Sequence, residues 1–401
     1  MRYPQKHNNI WEFPVHHMRG GTSTGLVIWD DIAPRQTELR EELLRHLMGV
    51  PLTGEQPGNR QITGLGRGPA TSNKVFFATL EQTDQGVRLV STLAQLAAEH
   101  GRIDWSVNCG NMSSALQLWA IDTDQVTVSG AGAHTLEIFN TNTGVSTTSR
   151  VVTEADGQFS TTAIPGVMGH HPAVDLFLHN PVGAKTGTLL PTGNATDVID
   201  GCRVSCVDIA VPMVIIRAED MGKTGYEPMQ ALEADQPFMT RLKEIWTAAG
   251  LKMQLRHKDG RLLTADELAA SETIPKVCIV APARDGGDIT VRYFTPQTGH
   301  NSMAVSGGCC LAAATLIPGS VAHEIAGKSV EAEASEQFIG IENPAGILGA
   351  SVIARHTAGG IAIQQAAYQR SAQVLLQGYM PLYNASPALQ KALADISQHT
   401  Q

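Results

Sequence analysis

Two segments of this chain are apolar on every helical face, and each closes the same series of elements. In the first half, residues 74–80 (KVFFATL) open on a lysine and read as a strand. Polar strands follow, and then the segment 105–120 (WSVNCGNMSSALQLWA). In the second half, residues 276–282 (KVCIVAP) again open on a lysine. They lead through 289–300 (ITVRYFTPQTGH) to 301–316 (NSMAVSGGCCLAAATL). A helix that is apolar all round has to be buried, so 111–121 and 302–316 read as core helices, each surrounded by sheet. The entries match too: 25–31 (GLVIWDD) resembles 212–220 (PMVIIRAED). A repeat this long and loose means duplicated domains rather than a solenoid. The Gly, Thr and Pro stretch 181–193 (PVGAKTGTLLPTG) sets the expected boundary. The domains are therefore 1–185 and 186–370, with 371–401 packing back on the first.

Other short β-like runs fall at 26–29, 126–129, 204–207, 211–217 and 289–294, punctuated by Gly, Pro, Asn or Asp. Further helical patterns cover 37–48, 238–249 and 387–398, and 13–18 reads as a strand. An apolar fraction of 42% against a charged fraction of 17% allows two sizeable cores and argues against disorder. The net charge is −9 and no basic run occurs, which excludes a nucleic-acid partner. No apolar stretch is long enough to span a membrane, and the first residues carry no secretory pattern. Six cysteines do not make a disulfide framework, so a reducing, cytoplasmic compartment is expected. Cys202, Cys206 and Cys278 read as buried small hydrophobes.

The segment Asn108, Cys109, Gly110, Asn111 ends a strand and opens the first core helix. A thiol at a helix start gains from free N–H groups that favour negative charge, and those groups also suit a carboxylate. In the second half, Ser306, Gly307 and Gly308 form the equivalent turn. The loop 19–25 (RGGTSTG) offers a guanidinium at Arg19 and small residues Gly20, Gly21, Thr22 and Ser23 for an anion nest. It lacks the Gly-Lys-Ser/Thr ending of a phosphate loop, and 64–68 (GLGRG) lacks the strand–turn–helix setting of a dinucleotide site. Lys74 follows Thr71, Ser72 and Asn73 at the mouth of a strand. Desolvation there lowers a lysine pKa and makes it usable as a general base. Lys223, in the turn GKTG, is a second cation suited to a carboxylate or to solvent.

Taken in order, MRGGTSTG, TSNK, NCGN, GTLLPTG and GHNSMAVSGG resemble the methylaconitate isomerase (PrpF) family over nearly the whole chain. The resemblance implies an α+β, diaminopimelate-epimerase-like fold: two pseudo-symmetric domains, each a sheet or barrel wrapped around a central α-helix. It implies a proton shift or cis–trans change in a small unsaturated di- or tricarboxylate, with no metal and no organic cofactor. It makes Lys74 the base and Cys109 the acid or anchor. Asn108, Gly110 and Asn111 hold one carboxylate. Arg19 to Ser23, with Ser306 to Gly308, hold the others, and Ser72, Asn73, Lys223 and His300 complete the set. The family reads RGGTSKG where Thr24 stands, and His-Lys where His300 and Asn301 stand, so the anion pocket is expected to carry at least one positive charge fewer. The expected partner is a small polycarboxylate, and the expected assembly a homodimer. An amino-acid racemase would need two opposed thiols. A small-acid binder would have no need of the Lys74 and Cys109 pair.

Overall fold

The computed structural model describes residues 3–68, 72–84, 86–257 and 259–398. Thr71 lies outside them. The chain divides into two compact units. The first runs to Ala163, takes in Val167–Leu176, and resumes at Arg370. The second comprises Ile164–Gly166 and Phe177–Gln369. The stretch 181–193 lies inside the second unit, where Asp208 gathers it. Asp208 accepts from the N–H groups of Lys185 and Thr186 and from the Thr186 hydroxyl.

In the first unit, strands Ile10–Gly20 and Ser23–Trp29 form an antiparallel hairpin closed by Gly20 and Ser23. Helix Thr37–Met48 follows and is stopped by Gly49 in the left-handed conformation. Strand Lys74–Thr83 then returns parallel to Ser23–Trp29, with Leu26 beside Val75. Strand Gly86–Ala97 runs antiparallel to it. After the central helical segment come Gly132–Asn140, parallel to Gly86–Ala97, and its antiparallel partner Val145–Thr153. The final strand, Arg370–Pro381, pairs with Ile10–Gly20, and helix Pro387–Gln398 ends the described chain.

The second unit repeats this pairing. Cys202–Ile209 and Val211–Arg217 form the hairpin. Lys276–Pro282 runs parallel to its second strand, with Met213 beside Lys276. Ile289–Thr295 is antiparallel to the lysine strand and parallel to Ser335–Asn343. Helix Gln236–Lys252 stands where Thr37–Met48 stands in the first unit, and Val305–Ala314 is the central helix. The α+β duplication read from the two lysine strands is therefore present in the hydrogen-bond register of both units.

Three local expectations change. The first core helix is not continuous: it forms as Gly110–Ser113 and Leu116–Asp122. The Ser114 hydroxyl donates back to the Asn111 carbonyl at 2.6 Å, which competes with regular helix bonding. Residues 126–129 are not a strand. The N–H groups of Gln125 and Val126 both donate to the Ala120 carbonyl, so this stretch wraps the helix end. Ser306 to Gly308 are not a turn but the second to fourth residues of helix Val305–Ala314.

Because side chains alternate across a strand, the first-unit sheet has two distinct faces. Met18, Gly25 and Lys74 share one face. The helical segment packs there, with Trp119 4.4 Å from Trp29 and 6.3 Å from His16 between ring centroids. Arg19, Thr24 and Asn73 share the other face. Helix Thr37–Met48 covers that side, its Arg40 guanidinium 4.3 Å from the Phe77 ring centre. This division decides which polar residues can act together.

Candidate active site

Lys74 opens its strand on the helix-bearing face and is only 5% exposed. Its neighbour across the parallel pair is Gly25. A Cβ on Gly25 would lie 2.4 Å from the Lys74 carbonyl oxygen and 3.1 Å from the Lys74 Cβ, so only glycine lets the lysine backbone in this close. Burial lowers the Lys74 pKa, and the charge of Cys109 acts in the opposite sense. The lysine and the thiol are thus electrostatically linked within one unit.

Cys109 is the N-cap of Gly110–Ser113, with extended backbone at φ −132° and ψ 102°. It is half-buried, whereas the other five cysteines are buried. The Asn108 side-chain oxygen accepts from the Cys109 N–H at 2.7 Å and from the Ser113 hydroxyl at 3.3 Å, which pins the turn. The hairpin turn docks against this start. A Cβ on Gly20 would sit 2.3 Å from the Asn111 carbonyl oxygen, and one on Gly21 would sit 2.4 Å from the Asn111 Oδ1. Gly21 is also in the left-handed region at φ +53°, so glycine is required there on two counts. The Asn111 amide donates from Nδ2 to the Thr22 hydroxyl at 3.3 Å. Gly20, Gly21, Thr22, Asn108, Cys109, Gly110, Asn111 and Lys74 therefore come together, and Ser72 is half-buried two residues before the lysine.

Other expected residues are turned away or held within the sheet. Arg19 faces the opposite side of the sheet. Its Nη1 donates to the carbonyls of Gly21 and Ser371 at 2.9 and 3.0 Å and to the Ser371 hydroxyl at 3.2 Å, so it braces the hairpin turn. Ser23, two residues before Gly25 on the same strand, stays on the Lys74 face, buried as the strand partner of Gly20. Asn73 is 0% exposed, its side chain taken up inside the protein. Its Oδ1 accepts from Gln61 Nε2 at 2.8 Å and its Nδ2 donates to the Gly68 carbonyl at 2.9 Å, which secures the 61–68 loop. Thr24 shares that face, so the family's lysine is missing from the side away from Lys74, not from beside it.

In the second unit, Lys223 is paired with Asp235 and lies 5.4 Å from the Phe238 ring centre, so its charge is already matched. His300 is exposed, and its Nδ1 accepts from the Ser302 N–H at 2.9 Å. Ser306 is half-buried in the first turn of its helix. Gly307 and Gly308 are packing positions: added Cβ atoms would meet the Tyr293 and Tyr368 rings at 2.7 Å. The N-cap equivalent to Cys109 is Ala304. Cys309 and Cys310 are fully buried, and burial pushes the Cys310 thiol up. A two-thiol racemase site would place its second thiol at that cap, and none is there.

Sequence reading missed Arg370, Ser371 and Gln373. Arg370, 5% exposed, donates from Nε to Asn111 Oδ1 at 2.9 Å. Ser371 receives the Gly21 N–H through its carbonyl at 2.9 Å, and Gln373 accepts from Arg19 Nε at 3.3 Å. Their only sequence signal was an arginine at the start of an apolar run, far along the chain from its partners.

Residues 10–383 match the family described as PrpF protein. The chain is 34% identical over 368 residues to the 4-oxalomesaconate tautomerase of Pseudomonas putida, covering 91% of this chain and 94% of that one. It is 32% identical over 377 residues to the (4E)-oxalomesaconate Δ-isomerase of a Novosphingobium species, covering 94% and 99%. A solved methylitaconate-Δ-isomerase superposes with a TM-score of 0.77 at 25% identity, covering 95% of this chain and 97% of that one. With the match running through the Lys74 strand, the Cys109 turn and the second unit alike, the chain belongs to the PrpF family.

Proposed function

We propose that this protein is an isomerase that moves a proton along a small unsaturated polycarboxylate. The observation that carries this reading is Lys74: a buried lysine with a lowered pKa whose ionisation is linked to Cys109. A lowered pKa brings a lysine closer to service as a general base. It takes the proton from the carbon next to a carboxylate and allylic to the double bond. The electron pair left behind spreads over the double bond and the carboxylate as a dienolate. Return of a proton at the far carbon shifts the double bond; rotation before its return at the original carbon gives the cis–trans change. Cys109 donates or anchors on the side of the Asn108–Asn111 turn. Stabilising the developing enolate charge there is the larger part of the catalytic task. The tautomerase and isomerase relatives named above act on oxalomesaconate and methylitaconate, which are acids of this class.

Proton NMR in deuterated buffer tests the reading. The substrates are oxalomesaconate, 2-methylaconitate, 3-methylitaconate and cis- and trans-aconitate, with wild type and Lys74→Ala side by side. Lysine-dependent deuterium uptake or double-bond migration in any of them is the expected result. No uptake by wild type in the whole panel would overturn it.

A further inference from the structure

We infer that Arg370 is a positioning residue that fixes Asn111 with its amide nitrogen outward, so that the turn beside Cys109 meets its ligand with donors only and selects a carboxylate. The inference deepens the proposed function, on which it rests, by naming the group that Asn111 meets.

Some of the polar atoms around Asn111 can only donate. A guanidinium N–H has no acceptor capacity, and neither has a backbone N–H. Arg370 Nε lies 2.9 Å from one end of the Asn111 amide, so that end is the oxygen. The Cys109 N–H lies 2.7 Å from one end of the Asn108 amide, so that end is also the oxygen. Both asparagines flanking the thiol therefore have their acceptors engaged inside the protein. Their nitrogens are what remains. The Nδ2 of Asn111 lies at the exposed end, beside the exposed Thr22 hydroxyl. The oxygen end is turned towards Arg370, which is 5% exposed.

The two asparagines are fixed by different means. Asn108 is held by its own turn, whose N–H donor is backbone and persists in every variant but proline. Asn111 is held by a side chain from a strand 259 residues away in the chain. Without Arg370, no other donor among the described residues is bonded to the Asn111 oxygen, and the amide can turn that oxygen outward. An outward carbonyl repels a carboxylate at hydrogen-bonding distance, so the cost falls on anion binding rather than on the thiol.

The test uses Cys109 as reporter, because the other five cysteines are buried. Alkylation of the native protein by iodoacetate, which carries a carboxylate, is compared with alkylation by neutral iodoacetamide. Each rate is normalised to the same reagent on a small neutral thiol. No turnover is needed, so the outcome does not depend on isomerase activity. The variants are Arg370→Gln and Arg370→Met. Both remove the charge, and both have the same reach as the Arg370 Nε, but only glutamine can place an N–H there. Wild type is expected to prefer iodoacetate. Arg370→Gln should keep most of that preference, and Arg370→Met should lose about tenfold, the scale of a hydrogen bond to a charged group. No preference in wild type, or equal preference in the two variants, would overturn the inference. Circular dichroism reports whether each variant is folded. If Arg370→Met does not fold, Asn111→Ala takes its place: retained preference in that folded variant would overturn the inference equally.

Discussion

The two units share strand order and register, and differ at the positions beside the central helix. Each has a lysine opening a strand that runs parallel to the second strand of a hairpin. In the first unit that lysine lies against Gly25 and is buried; in the second it lies against Met213 and is half-buried. The first central helix is capped by a half-buried cysteine and broken after one turn. The second is capped by alanine and runs unbroken, with two tyrosine rings against its glycines. Duplication kept the frame, while the buried lysine and the half-buried helix-cap thiol occur in the first copy. Small residues decide where: Gly20, Gly21 and Gly25 admit backbone and polar groups at places where the second unit is packed with side chains.

This contrast can be broken at several points. The thiols should show a large effect. Cys109→Ser is expected to lower turnover about a hundredfold or more, as loss of a positioned proton-transfer group does. Cys310→Ser should leave turnover per folded molecule unchanged and cost about 1 kcal/mol of stability, because a fully buried hydroxyl replaces a thiol that donates to the Val207 carbonyl at 3.6 Å. Steady-state kinetics beside urea unfolding separates the two. Gly25→Ala comes next. With a Cβ at 2.4 Å from the Lys74 carbonyl, the strand pair must shift, at a cost of about 1–3 kcal/mol and with loss of turnover. Asn73→Ala should destabilise by about 1–3 kcal/mol, because it leaves Gln61 and the Gly68 carbonyl without their partner. Its KM should stay near the wild-type value, in keeping with its place on the far face.

The smallest effect is in pH dependence. The Lys74 pKa is lowered by folding. The folded state therefore binds fewer protons than the unfolded state between the lowered value and the ordinary lysine value. Across that window stability rises with pH, and below it the full penalty of a buried charge remains. Lys74→Met should remove this rise in unfolding measurements at a series of pH values. It should also remove the alkaline increase in turnover.

Much of the frame was legible because it rests on periodicity. The two all-apolar helices and the two lysine strands could be read from order alone, and helices 37–48 and 387–398 match their observed bounds. The 126–129 run has strand-like alternation, but its N–H groups serve a helix end, which no local pattern reveals. Within the candidate site, the backbone turns were readable from Gly and Asn. Face was not, although alternation contains it: Asn73 and Lys74 are neighbours in sequence and so point to opposite sides. Arg370 was out of reach for another reason. Its partner, Asn111, is set by how the last strand returns to the first hairpin, and pairing between distant strands leaves no mark in either segment.

The most direct test of the central claim compares the two lysines by solvent-deuterium incorporation into the substrate that wild type turns over. Lys74→Met and Lys276→Met are measured at saturating substrate, each checked for folding. The account predicts a loss of about 10²- to 10⁴-fold for Lys74→Met, the contribution of a general base. It predicts a rate within about twofold of wild type for Lys276→Met, the scale of a substitution away from the chemistry. Equal losses in the two variants, or exchange that survives Lys74→Met, would contradict the assignment of the chemistry to the first unit.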